Sequence, residues 1–193
     1  MKSVAVYMGS SRGNNQAFAD AAHDLGTALA KRELQLVYGG GSVGLMGITA
    51  DAVLASGGSV FGVITEQLKS MEVGHSGLTE LAIVPGMHER KALMAERADA
   101  FVALPGGFGT LDEFFEIITW AQLGIHNKPC GLLNIEGYFY PLLQFMAQSV
   151  ASEFVQHQHL DSVIIATSAD ELLSGFAQHY KSPPSKIEKW TDR

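Results

Sequence analysis

Residues Ala100 to Glu116 read AFVALPGGFGTLDEFFE. The apolar run Ala100 to Leu104 ends at Pro105. Gly106, Gly107, Phe108 and Gly109 follow, and from Thr110 the apolar residues take up helical spacing. The stretch therefore reads as strand, glycine turn, helix. Glycines leave backbone N–H groups unobstructed at a helix N-terminus, where positive partial charge gathers, and that suits a phosphate. Tyr38 to Gly47, YGGGSVGLMG, repeats the layout.

Working outward, the same alternation runs along the whole chain. Apolar runs at Val4–Met8, Leu34–Tyr38, Ser59–Ile64, Leu81–Val84, Ala100–Leu104, Pro129–Leu133 and Val163–Ala166 read as strands. Helical spacing marks Asn15–Lys31, Leu45–Ala55, Met87–Arg97, Leu111–Leu123, Tyr138–Ser152 and Ala169–Tyr180. Strands that are continuously apolar and separated by helices belong to a parallel sheet covered on both faces. The expected fold is α/β, a Rossmann-like, doubly wound parallel sheet of about seven strands. One nucleotide-binding domain is expected over residues 1–180, with a C-terminal tail over 181–193 that contains Pro183 and Pro184. In such sheets ligands lie beyond the carboxyl ends of the strands. The glycine-rich loops Gly9–Gly13, Gly39–Gly44 and Gly106–Gly109 should all open there. Thr65–Gly77 reads as a long polar loop, a length that suggests function.

Composition narrows the partners. A net charge of -7 argues against a nucleic acid polymer, which requires a basic surface. The single cysteine, Cys130, excludes an intramolecular disulfide and points to a reducing, cytoplasmic setting; its apolar surroundings make it a buried core thiol. The N-terminus lacks a signal pattern, and no apolar run approaches the roughly 18 residues of a membrane span. The seven histidines form no metal-ligand spacing, and there is no Gly-x-Ser-x-Gly elbow. The expectation is no metal, no cofactor and no membrane.

Individual residues leave alternatives open. Gly39-x-Gly41-x-x-Gly44 matches a dinucleotide fingerprint, with Glu66 about 20 residues on; tight strand–helix packing is the bland alternative, and the presence of two such loops favours phosphate or nucleotide binding. It is not a Walker A loop, because no Lys-Ser/Thr pair follows. Thr110 and Glu113 form a T-x-x-E capping box, with Thr110 at the N-cap and Glu113 serving its own helix. The functional alternative is a carboxylate in the first helical turn, held ionised by the helix dipole and placed to activate water or stabilise an oxocarbenium-like sugar. Arg90 and Lys91 stand early in their helix, where the dipole disfavours cations, which suggests a nearby ligand anion; a solvated face is the other reading. Glu116 and Glu72 read as solvated acids. The helix from Leu111 carries Phe114, Phe115, Ile117, Ile118, Trp120, Ala121 and Leu123 around most of its circumference, which calls for a second partner surface, a twofold homodimer.

Taken together, YGGGSVGLMG, MHERK at Met87–Lys91 and PGGFGTLDE at Pro105–Glu113 closely resemble the Lonely Guy (LOG) family. The resemblance extends from the GSS loop at Gly9 through ITWAQLGIHNKP, Ile118–Pro129. Members often carry the label possible lysine decarboxylase, yet no lysine here stands in a cofactor-anchoring context. The resemblance implies a phosphoribohydrolase that cleaves N6-substituted adenosine 5'-monophosphates, with AMP a related ligand, to free base and ribose 5-phosphate. It implies Arg90 and Glu113 as the catalytic pair. It implies substrate contacts at Glu72, Lys91, Gly106, Gly107, Phe108, Gly109, Thr110, Leu111, Asp112 and Thr119, beside Gly41 and Ser42 of the first glycine loop. Asp112 stands where many members have Glu, and Phe108 where Tyr is common. Two other readings remain on the residues alone: a non-catalytic nucleotide sensor with Glu113 only a cap, and a dinucleotide-dependent oxidoreductase built on Gly39–Gly44.

Overall fold

The computed structural model describes residues 1–72 and 74–182 of the chain, without the side chain of Glu72; all of the expected tail except Lys181 and Ser182 lies outside the described residues. The strands are β1 (Ser3–Tyr7), β2 (Gln35–Tyr38), β3 (Val60–Thr65), β4 (Glu80–Val84), β5 (Ala100–Ala103), β6 (Cys130–Leu133) and β7 (Val163–Ala166). The helices are α1 (Gln16–Lys31), α2 (Gly44–Ala55), α3 (Glu66–Glu72), α4 (Met87–Arg97), α5 (Phe108–Gln122), α6 (Tyr140–Ala151), α7 (His157–Asp161) and α8 (Ala169–Lys181), with one 3-10 turn at Ile135–Gly137.

The strands form one sheet in the order β4-β3-β2-β1-β5-β6-β7, every neighbouring pair parallel. The chain winds outward from β1 to β4, returns to the other side of β1 as β5, and winds outward again. The direction reverses between β1 and β5, and the crevice at such a switch point is where open α/β sheets hold ligands. The register pairs Tyr7 with Ala103, so both strands end level and their loops meet.

Strand alternation divides the core into two layers. Val4 and Val6 face α1, α2 and α8, packing with Leu25, Leu29, Leu45, Val53 and Leu172. Ala5 and Tyr7 face α4, α5 and α6, packing with Met94, Phe114, Ile117 and Met146. Both faces of the central strands are covered, which is why β1, β3, β5 and β6 read as unbroken apolar runs. The edge strand β4 is only partly buried and carries the exposed Glu80. α1 follows from its pattern: Ala19, Ala22, Leu25 and Leu29 line its buried face, and the Asn15 side chain caps it by accepting from Ala17 N–H. Cys130 is buried as expected, and burial pushes its thiol up to about 12.

Two segments differ from the sequence reading. The supposed loop Thr65–Gly77 contains helix α3. No glycine or proline interrupts Glu66–Glu72, and the Thr65 hydroxyl accepts from Leu68 N–H, starting the helix directly at the strand end. Helix α7, a single short turn in a polar stretch, carried no apolar period to announce it.

Candidate active site

Three glycine-rich loops meet at the carboxyl edge of the sheet. Gly9 N–H donates to the Pro105 carbonyl at 3.1 Å, and Leu45 N–H donates to the Gly9 carbonyl at 3.1 Å. The loops after β1, β2 and β5 therefore form one continuous rim. Gly106 is required within it: a Cβ there would overlap the Thr110 hydroxyl and approach Gly9 N to 2.8 Å.

Arg90 lies beneath this rim. It projects from the first turn of α4 and is almost wholly buried. Each guanidinium nitrogen has a partner: Nε donates to the Val63 carbonyl at 3.0 Å, Nη2 to the Gly39 carbonyl at 3.3 Å and Nη1 to Glu113 Oε1 at 3.1 Å. A buried guanidinium is costly unless it is paired and hydrogen-bonded, and here both conditions hold. The Arg90–Glu113 side chains are only 8% and 12% exposed, so their attraction acts in a poorly solvated setting. The sequence therefore places its cation against the helix dipole because a carboxylate and two carbonyls receive it.

The same geometry explains the first glycine run differently from a dinucleotide fingerprint. That run follows β2, one strand away from the switch point. A Cβ at Gly39 would overlap Nη2 of Arg90. Gly39 makes room for a protein guanidinium, which removes the main support for the oxidoreductase reading. Gly41 is buried, accepts the Tyr38 hydroxyl at 3.1 Å, and bridges to Gly74; Ser42 beside it is half-buried.

The capping box does not form. α5 begins at Phe108 with Gly107 as its N-cap, and Gly107 has no side chain to cap with. Thr110 is thus the third helical residue, buried against Gly106, and Glu113 the sixth. Glu113 stands in the second turn, beyond the strongest part of the dipole, so Arg90 rather than the helix end is its electrostatic partner. With no cap to serve, the reading of Glu113 as only a cap loses its basis.

A second ionic contact joins the two helices nearer the surface. Lys91 Nζ lies 3.2 Å from Asp112 Oδ2 and 3.0 Å from Glu116 Oε1. Burial by itself would lower the Lys91 ammonium, but hydrogen bonds and charge from Glu116 and Asp112 outweigh it and raise the group above its ordinary value. Glu116 is a quarter exposed and ion-paired, not the solvated charge its position suggested.

Phe108, Leu111, Asp112, Phe115, Glu116, Thr119 and Trp120 line an open groove of about 400 Å³ along α5. It gathers four of the anticipated contacts, Phe108, Leu111, Asp112 and Thr119, on one helix face. Phe108 is 94% exposed and walls its entrance. The Thr119 hydroxyl donates to the Phe115 carbonyl at 2.7 Å. Glu72 ends α3, and its side chain lies outside the described residues.

Tyr7 was not anticipated. It closes β1, is 2% exposed, and stacks on Phe101. Burial first, and then the negative charge of Glu113, push its phenol well above the ordinary value. It remains a neutral phenol near the carboxylate. Its place as the last residue of the central strand was the available signal.

Among the described residues no three His, Cys, Asp or Glu side chains gather as a metal site, and no helix is long and apolar enough to cross a membrane.

Comparison with known proteins accords with this geometry. A family model described as possible lysine decarboxylase matches residues 46–176. A cytokinin riboside 5'-monophosphate phosphoribohydrolase of Arabidopsis thaliana is 49% identical over 172 residues, covering 89% of this chain and 81% of that protein. Another of that name from Oryza sativa subsp. japonica is 49% identical over 170 residues, covering 88% and 70%. Among solved structures, the Moco carrier protein of Chlamydomonas reinhardtii superposes with a TM-score of 0.71 at 18% identity, covering 93% of this chain and 98% of that one. The molybdenum cofactor binding protein of Rippkaea orientalis gives 0.69 at 19% identity, covering 93% and 97%. Those two likenesses concern the fold. With nearly half of its residues identical to such relatives along most of its length, and a family model spanning two thirds of it, the chain belongs to the Lonely Guy (LOG) family.

Proposed function

We propose that this protein is a hydrolase of N6-substituted adenosine 5'-monophosphates, releasing free base and ribose 5-phosphate. The observation that carries the reading is the buried Arg90–Glu113 pair beneath a glycine rim at the sheet's switch point. The first N–H groups of α5, at Gly107 to Thr110, have no intrahelical acceptor and suit a phosphate. A 5'-phosphate held there puts the ribose over the second turn, where Glu113 stands. Water adds to C1', the C1'–N9 bond breaks, and the base leaves with its bonding electrons and takes up one proton from solvent, balancing the one the attacking water gives up. Glu113 accepts the proton the water gives up, or opposes positive charge developing at C1' while that proton passes to solvent; Arg90 pairs with it and fixes its orientation. The groove along α5, walled by Phe108, Leu111 and Trp120, suits an apolar N6 substituent. Asp112, Glu116 and Thr119 add polar groups to its lining, and Lys91 pairs with the two acids.

The test is incubation with AMP and isopentenyladenosine monophosphate, with free base and ribose 5-phosphate measured. Release is expected from at least one of them, and the matching nucleosides should be at least about 100-fold poorer in kcat/KM, since phosphate binding energy is withheld from them. Nucleotide binding with no turnover would make the protein a sensor and sink the proposal.

The same reading includes a homodimer, in a single domain that requires neither metal nor membrane. In one chain α5 buries only Thr110, Phe114 and Ile117 and leaves Phe115, Ile118 and Trp120 half-covered. A second copy of the chain would cover them. Sedimentation at micromolar concentration should give twice the 20.7 kDa chain mass; a clean monomer would refute this part.

A further inference from the structure

The turn after β6 reaches back to the phosphate loop. The Tyr138 hydroxyl donates to the Gly106 carbonyl at 2.7 Å, across 32 residues of chain. The ring is fixed edge-on against Phe18 at 5.5 Å and Phe139 at 5.1 Å between centroids. Its backbone is fixed as well. Glu136 and Gly137 both take left-handed φ values, which turn the chain back, and the buried Asn134 accepts from Phe139 N–H at 2.7 Å while its own N–H donates to the Ala166 carbonyl.

The carbonyl that receives this bond belongs to the Gly106–Gly107 peptide. A trans peptide is planar, with its C=O and N–H pointing in opposite directions. Glycines on both sides leave the rotation of that plane poorly determined by local sterics. Holding the Gly106 oxygen therefore also aims the Gly107 N–H, the amide at the start of α5. We propose that Tyr138 is a positioning residue: by anchoring the Gly106 carbonyl it turns the Gly107 N–H toward the 5'-phosphate of the substrate. The role rests on the proposed function, because it names how the phosphate subsite of that reaction is built. Nothing in the glycine motif itself specifies this donor, which comes from a different strand–helix unit.

Tyr138→Phe separates this role from packing, since the ring contacts stay and only the donor is lost. KM for the nucleotide and the Kd for ribose 5-phosphate, measured calorimetrically, should both rise about five- to tenfold, the worth of one hydrogen bond. The kcat and the thermal midpoint should stay near wild type. A purely structural tyrosine would lower the midpoint and leave the ribose 5-phosphate Kd alone. Wild-type KM and wild-type Kd in Tyr138→Phe overturn the proposal. Wild-type protein that binds ribose 5-phosphate without hydrolysing nucleotide removes the hydrolase reading, while the change in Kd still judges Tyr138. Wild-type protein that binds no ribose 5-phosphate removes both.

Discussion

Glu113→Gln lowers kcat about 10²–10⁴-fold and leaves KM nearly unchanged. A positioned carboxylate acting as general base contributes about that much. The amide keeps the shape and an oxygen to accept from Arg90 Nη1, so the loss is charge and basicity rather than geometry. KM is spared because the phosphate is held by the amides of the glycine turn, whose conformation does not depend on Glu113. The substitution also leaves the Arg90 guanidinium facing two carbonyls with no carboxylate, which should reduce stability by roughly 2 kcal/mol. Rates should therefore be compared well below the thermal midpoint. If the Gln variant is less stable yet turns over at the wild-type rate, Glu113 serves the fold alone and the catalytic assignment is wrong.

The capping-box reading of Glu113, the bland alternative to catalysis, fails at the start of α5. T-x-x-E is a sound local rule, and it placed the N-cap at Thr110, three residues beyond the observed Gly107. Gly107 takes the cap position, and Thr110, inside the first turn, is buried close against Gly106. The strands and main helices were legible because the core imposes period on them: Val4 and Val6 pack in one layer, Ala5 and Tyr7 in the other. The meeting of three glycine loops was legible too, since parallel strands all end on one edge. Long-range pairing was not. Lys91 finds Glu116 across two helices, Tyr138 reaches Gly106 from another unit, and Tyr7 lies near Glu113 only because β1 and β5 are neighbours. Helix α3 escaped because its start depends on one threonine hydroxyl at a strand end.

The sharpest test of that long-range logic lies at a residue that touches no substrate in this scheme. Gly39→Ala should lower kcat/KM by about 10²-fold or more, close to the loss from Arg90→Ala. A methyl at Gly39 would overlap Arg90 Nη2 and sit 3.1 Å from Cζ. Gly39 is not among the glycines with positive φ, so alanine is acceptable to the backbone there. The guanidinium is the mobile party, and it must give way. Moving it weakens its bonds to the Gly39 and Val63 carbonyls and its ion pair with Glu113 together. Because both substitutions act on one group, the double variant should be no worse than Arg90→Ala alone, a strong departure from additivity. A glycine that instead served a dinucleotide pyrophosphate would behave differently: Gly39→Ala would raise KM, spare kcat and add to Arg90→Ala. Full additivity in that double-mutant cycle would mean that Gly39 does not act through Arg90, and the first glycine run would need another explanation.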